Sequence, residues 1–337
     1  MKKYITTIIF LATCIAAAAA DIPQGTPLVR YSLPRTMVTA HVKYERVEQQ
    51  PGIFYQYAER YLGNVNVITE NNVQYRLVSV DIKAKAVADS AKTYTLNIEK
   101  VLPNIVLNKK GIIFAIGSSC PPLPAPQKRE TDNAQAKKHE PLLPPLTEEQ
   151  LRAGSMAKMA ESTAKLIYRL REERVNLIAG ETEVADGEAL KTMLRKLENT
   201  EKQLTDLFTG TTSVTCLNAE VPCNIEQDIK HSILFRFSKY SGVTQPEDLA
   251  GEAVFIDVTT QKVNATTPDK TPKIGEAIYY NIPGSATISV YTVDQELVTK
   301  TVNAAQYGPA VPLPLNTIKD GKTITYDVNT GAIISIQ

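Results

Sequence analysis

The chain contains no tryptophan, only three histidines and almost no net charge, and each shortage narrows the range of functions. Flat sugar faces are commonly held by Trp, so its absence weakens a carbohydrate-binding reading, although fifteen Tyr keep one open. Lys and Arg number 37 against 36 Asp and Glu, and a net charge of +1 supplies no field to hold nucleic acid or an anionic membrane. His41, His139 and His231 are scattered, with no second His or Cys at ligand spacing, so no metal is expected. His231 reads as a strand-end core residue. A Gly-rich phosphate loop, a Gly-x-Ser-x-Gly elbow and a His-Glu-x-x-His pair are all missing, and no cofactor is expected.

Long apolar runs are also scarce, with one exception at the start. "MKKYITTIIFLATCIAAAAADIPQG" carries two lysines, an apolar run and a small-residue stretch, the order of a secretory signal. Residues 1–20 are expected to be removed by cleavage between Ala20 and Asp21. The competing site, lipidation at Cys14, is disfavoured by Thr13 and by the apolar run that continues past it. No integral membrane span is expected afterwards, and the product should be periplasmic or associated with the outer surface. Cleavage leaves Cys120, Cys216 and Cys223. In an oxidising compartment Cys216 and Cys223 are expected to pair, because "TCLNAEVPC" reads as strand, turn and strand.

Strand patterns fill residues 21–117, apart from one short helix. "MVTAHVKYE" alternates, with Val38, Ala40, Val42 and Tyr44 on one face, and "VQYRLVSVDIKAKA" sets Val78, Val80, Ile82 and Ala84 together. "PGIFYQYAERYLG" is helical, with Gly63 to close it. "NIVLNKKGIIFAIG" is a hairpin turning at residues 108–111. Residues 118–146 hold seven prolines around a polar middle and read as a linker. The capping box Thr147–Gln150 then opens a helix with an apolar stripe through Met156, Thr163, Ile167, Leu170 and Leu177. A second stripe, Leu190, Met193, Leu197, Leu204 and Leu207, supplies its partner. Residues 147–210 are thus expected to form an antiparallel helical hairpin with an arm of about 50 Å. Residues 211–337 alternate in about seven short strands, which suggests a C-terminal β-sandwich. The expected fold class is α+β.

Ser-x-x-Lys occurs twice, at Ser155–Lys158 and Ser162–Lys165, the nucleophile spacing of penicillin-binding proteins and class A β-lactamases. Tyr279-Tyr280-Asn281 fits a second element of that class. Lys322-Thr323 begins a third, but Ile324 stands where glycine is required. The two copies lie seven residues apart and continue into Arg169, Glu172 and Glu173, a solvated helix stripe that gives no desolvated lysine and no oxyanion hole. No catalytic residue is therefore assigned. Ser155, Lys158, Ser162, Lys165 and Arg169 are read instead as an interaction face. Tyr55, Tyr57, Tyr279 and Tyr280 are the aromatic candidates for a ligand patch. Asn264-Ala265-Thr266 is a sequon, and Asp89-Ser90-Ala91 resembles an O-glycosylation motif of Bacteroides envelope proteins.

The segments "GIFYQYAERYLG", "IYRLREERVNLIAGETEVADGEALKTMLRKLENTEKQLTDLFTG", "EAIYYNIPGSATISV" and "YDVNTGAIISI" resemble a secreted family of gut Bacteroidales known only as a domain of unknown function. The likeness runs through most of residues 35–337 and is most specific at Leu207-Phe208-Thr209-Gly210. It implies an envelope location and brings no activity, cofactor or catalytic residue. The function expected on these grounds is non-catalytic: a secreted envelope protein that binds a protein partner through the helical hairpin. The alternatives are a glycan- or small-ligand-binding module and, well behind, a hydrolase of the Ser-x-x-Lys type. Nothing in the sequence sets the oligomeric state.

Overall fold

The computed structural model describes residues 28–97, 104–117, 119–123, 148, 152–179, 187–264, 275, 277–315 and 322–337. Its spine is a pair of long antiparallel strands, β1 (Leu28–Gln50) and β2 (Asn72–Asn97). Alternation in β1 turns Val38, Ala40 and Val42 inward, and Val80 and Ile82 of β2 join them, all buried. β3 (Asn104–Leu107) and β4 (Ile113–Gly117) form the expected hairpin. At its turn the Asn108 carboxamide oxygen accepts from the N–H groups of Lys110 and Ile112, and Gly111 takes φ 73°. β5 (Thr211–Cys223) pairs with the other edge of β1.

That three-stranded sheet, in the order β2-β1-β5, packs on a five-stranded one. The second sheet runs β11-β10-β8-β6-β7 and comprises β6 (Ile229–Ser238), β7 (Gly242–Thr244), β8 (Glu252–Gln261), β10 (Gly284–Tyr291) and β11 (Glu296–Ala304). Val254, Ile256 and Val258 of β8 and Ile288 and Val290 of β10 fill the space against β1 and β2. Each such side chain contributes about 1.5–3 kcal/mol by leaving water. Two of the three strands of the first sheet, β1 and β2, therefore come from early in the chain. β9 (Ala277–Asn281) pairs with β12 (Ala310–Pro314), while β13 (Thr323–Tyr326) and β14 (Ile333–Ile336) extend the β3–β4 hairpin into a sheet ordered β14-β13-β4-β3. Tyr31, Leu33, Leu96, Ile113, Ile116, Ile278, Ile324 and Tyr326 form this second core. The expected N-terminal β domain and C-terminal sandwich, whose packing as one body the sequence left open, share sheets built from both ends of the chain. A long hairpin has two edges and two faces to cover, and only later strands are available to cover them.

Two irregularities in the spine explain where simple alternation misleads. At Lys43/Tyr44 the partner of β1 jumps from Ser79 to Leu77, which leaves Val78 as the extra residue of a bulge and 55% exposed rather than in the core. Ala84 is exposed as well. At Ser32/Pro34 the partner jumps from Thr93 to Ala88, so residues 89–92 form an excursion from β2. Pro34 has no N–H to give to a ladder at this break, and Ser32 N–H donates to the Gly111 carbonyl instead. Asp89-Ser90-Ala91 lies on the excursion, where Asp89 accepts from the Ala91 N–H.

The paired cysteines expected at 216 and 223 are not formed. Cys120, Cys216 and Cys223 are all free thiols, Cys216 exposed and Cys223 buried. The intervening residues never turn, since β5 runs straight through them. Seven residues of strand separate the two sulfurs by about 23 Å and put them on opposite faces, far beyond bridging distance. Burial pushes the Cys223 thiol up to about 11.

A 3₁₀ turn at Tyr55–Tyr57 leads into α1 (Ala58–Leu62), which Gly63 closes in the left-handed conformation. Two longer helices follow, α2 (Met156–Ala179) and α3 (Gly187–Thr209). Glu148, in the capping box, is helical and its carbonyl accepts from the Arg152 N–H, but Gly154 and Ser155 form a bend, so the long helix α2 begins at Met156 with Ser155 as its cap. Ala160, Ala164 and Ile167 of α2, Leu204, Leu207 and Phe208 of α3, and Phe54 and Ala58 make a third core. Ser118 and residues 124–146 of the linker, Thr147, Cys14, Ala20, Asp21, Ala265 and Thr266 lie outside the described residues.

Candidate functional site

The Ser-x-x-Lys residues have structural occupations. Ser155 Oγ accepts from the Lys158 N–H at 3.3 Å, the bond of a helix N-cap. Ser162 Oγ donates to the Met159 carbonyl at 3.1 Å, and Lys165 forms an i,i+4 pair with Glu161 at 2.8 Å. Lys165 holds the Glu161 carboxyl below its usual range. Ser155, Lys158, Lys165 and Arg169 are exposed and Ser162 is half-buried, all on one side of α2 and its cap. The Asn281 side chain, which fits the second element of the enzyme motif, is fully buried and donates to the Pro34 and Thr330 carbonyls. No helix among the described residues is long and apolar enough to cross a membrane.

The two tyrosine pairs that are alternative candidates for a ligand patch lie at different cores. Tyr57 packs beside α2 and α3 in the third core. Tyr279 stacks on Tyr94 with ring centroids 4.2 Å apart, and its N–H donates to the Tyr31 hydroxyl at 2.7 Å, inside the second core. Tyr280 packs against that core too. Burial and neighbouring phenols raise the Tyr31 and Tyr94 hydroxyls above their ordinary range, as expected of packing groups rather than of reactive ones.

The base of α2 and α3 is bound tightly to the spine. The Leu207 carbonyl, which α3 itself leaves open, accepts from Phe54 N–H at 2.7 Å, and the Thr209 carbonyl accepts from Ile68 N–H at 2.9 Å. Phe208 stands 5.3 Å from Phe54, ring to ring. Gly210 takes φ 86°, and a Cβ there would sit 2.5 Å from the Gln50 carbonyl oxygen. Higher up, Glu201 of α3 receives Arg171 Nε at 2.7 Å and Arg174 Nη1 at 2.8 Å, one carboxylate gripped by two guanidinium groups. Beyond this clamp Val175 and Ile178 are 61% and 68% exposed, one helical turn apart and in line with Ala164 and Ile167, on a different side of α2 from the charged stripe.

The chain belongs to family DUF4831, a domain of unknown function, whose model matches residues 28–334. The DUF4831 match opens at the start of β1 and ends within β14, so it takes in all three cores. Comparison with curated proteins and with solved structures finds no match.

A second cluster was missed in the sequence, where His231 reads as core. Two register shifts in β6, between Ile229 and Ser232 and between Ile233 and Phe235, break the alternation on which that reading rests. Leu234 and Phe235 are buried in its place, and His231 is exposed with φ 52°. Its ring stacks on Phe255 at 4.2 Å and 11°, and Nδ1 meets the Tyr291 hydroxyl at 3.0 Å. Tyr291 donates to Asp257 Oδ1 at 3.0 Å, and the His231 N–H donates to the same oxygen at 2.6 Å. Phe255 in "AVFIDV" and Tyr291 in "TISVY" occupy the outward phase of neighbouring strands whose inward phase is Val and Ile. Aromatics on the wrong face are the signal that was legible.

Proposed function

We propose that this is a non-catalytic, secreted envelope protein that holds a protein partner through α2 and α3, which pair as an antiparallel arm. The order of their contacts supports the pairing. Ala160 and Ala164 near the start of α2 share a core with Leu204–Phe208 near the end of α3, while Arg171 and Arg174 reach back to Glu201. The single observation that carries the reading is the exposed Val175–Ile178 pair above a base whose own apolar residues are buried. Two β-branched side chains on a helix add little to the fold when exposed, and they offer apolar area to another helix. The stripe Lys158, Lys165 and Arg169, on another side of the same helix, would raise the encounter rate with an acidic partner. Export rests on the charged, apolar and small-residue order of the first twenty residues.

The test is a crosslinking pull-down from native envelopes with the full mature chain and with V175D/I178D, which leaves the base of the arm intact. The double variant should keep its melting temperature and lose the partners that the parent captures. An unchanged set of partners would overturn the proposal.

A further inference from the structure

We propose that the outer face of the five-stranded sheet, centred on His231, Phe255, Tyr291 and Asp257, is a binding platform for a neutral glycan chain. It is separate from the helical arm.

The platform starts from the sheet's register. β8 and β10 each bury one phase in the sandwich core and turn the other outward. Across the outward phase, Phe255 stands opposite Tyr291, and Asp257 opposite Ser289, which in turn faces Thr299 of β11. On this outward phase Phe255, Asp257, Ser289 and Tyr291 are half-buried and Thr259, Thr299 and Thr301 exposed. Along it an aromatic row gives way to rows of hydroxyls about 6.8 Å apart, two residues of strand. Thr299 Oγ1 donates to Ser289 Oγ at 2.7 Å, which orders one of these rows.

At the aromatic end the three rings form a layered surface. Phe255 is flanked by Tyr291, with centroids 5.7 Å apart, and covered by His231. His231 holds that position with its backbone at φ 52°, a left-handed conformation that is uncommon for L residues although His, like Asn and Asp, adopts it more often than most. The strain is compensated locally by the bond from its N–H to Asp257. Because Tyr291 donates to Asp257, its oxygen is left to accept from His231 Nδ1–H, and in the tautomer that makes this bond Nε2 is the acceptor of the ring. A flat ring face, a lone acceptor nitrogen, an anchored carboxylate and a bed of hydroxyls match the surface of a pyranose. The axial C–H groups of one sugar face would rest on the imidazole, and the ring hydroxyls would donate to Nε2 and to Asp257. The platform carries no cationic side chain among its residues, which selects neutral over acidic sugars. A stack of His on Phe provides the flat surface that tryptophan provides elsewhere.

The test uses the full mature chain on an array of linear neutral hexasaccharides (gluco-, manno- and galacto-configured), followed by isothermal titration with the array member bound most strongly. H231A and F255A should each weaken binding about tenfold, the measure of one aromatic contact. H231G separates binding from folding, because glycine takes φ 52° freely: its melting temperature should equal or exceed that of the parent while its affinity falls by the same factor. S289A should weaken binding by about twofold to fivefold. The proposal is overturned if the parent binds no neutral array member, if it binds acidic glycans alone, or if H231G binds as well as the parent. The helical arm plays no part in this outcome, since V175D/I178D should bind the same hexasaccharide with unchanged affinity.

Discussion

The lower and upper parts of α2 are the same kind of helix with opposite fates. Near its start, Ala160, Ala164 and Ile167 are sealed against Phe54 and Phe208, and the open carbonyls at the end of α3 find backbone donors in the segment that joins β1 to β2. Two turns above the seal, Val175 and Ile178 stand in water. Periodicity cannot distinguish the two regions, because apolar spacing tells which residues share a face and not what covers it. The Glu201 clamp marks the transition. Its carboxylate is only 13% exposed, and it pins α2 to α3 just below the turn where Leu177 is still buried but Val175 and Ile178 are not.

The contrast is broken most severely at the base. Replacing Phe208, fully buried and packed on Phe54, by alanine should cost about 3–5 kcal/mol, read as a lower midpoint in urea. A loss below about 1 kcal/mol would mean that the base is not part of the cooperative core. The same opposition of sealed and open recurs on β5, where Cys223 is buried and Cys216 exposed. Folding holds the Cys223 thiol at about 11 rather than its ordinary 9.0, so the folded state keeps a proton that the unfolded state releases. That stability is fully present below about pH 9 and lost as pH rises to about 11, a decline of about 2–3 kcal/mol. C223A should flatten the decline in alkaline melts. Without denaturant, a thiol reagent should label Cys216 within minutes and Cys223 only on unfolding.

A smaller loss is expected at the clamp. E201Q removes the charge from two charge-assisted hydrogen bonds whose arginines remain partly hydrated, at a cost of about 1.5–3 kcal/mol. Double-mutant cycles with R171A and R174A would apportion it. If E201Q matches the parent, the upper helices are held by apolar packing alone, and the boundary between the two regions lies higher than the clamp.

Much of the spine could be read directly, for identifiable reasons. Val38, Ala40 and Val42 alternate because β1 is flat there and has one wet face, and Gly63 and Gly111 sit where left-handed turns require them. The failures share a cause, which is information carried by a distant strand. Val78 leaves the core because β1 and β2 slip at a bulge, and His231 leaves it because β6 slips twice against β8. Neither slip is encoded in the hydrophobic phase of a single segment. Cys216 and Cys223 misled in the opposite way. Asn218 and Pro222 suggest a turn, but pairing with thirteen successive residues of β1 holds the segment straight. The motif at Leu207–Gly210 was visible as the most specific stretch of the family likeness. Its reason, two carbonyls and a glycine pressed against the β1–β2 connection, needed the fold.

The smallest effect on stability is expected where the two regions differ most. Replacing Val175 and Ile178 by serine trims apolar surface that is already hydrated, so each change should alter stability by less than about 0.5 kcal/mol. Serine lowers helix propensity only slightly relative to these β-branched residues and leaves the Glu201 clamp untouched. The comparison with F208A is then a direct measure of what the lower seal does for the fold. A loss above about 1 kcal/mol at either upper position would show that something within the chain covers them, and the case for reserving that surface for a partner would fail. A near-zero change, with partner capture abolished by the same substitutions, would separate the part of the helix that folds the protein from the part that the protein presents.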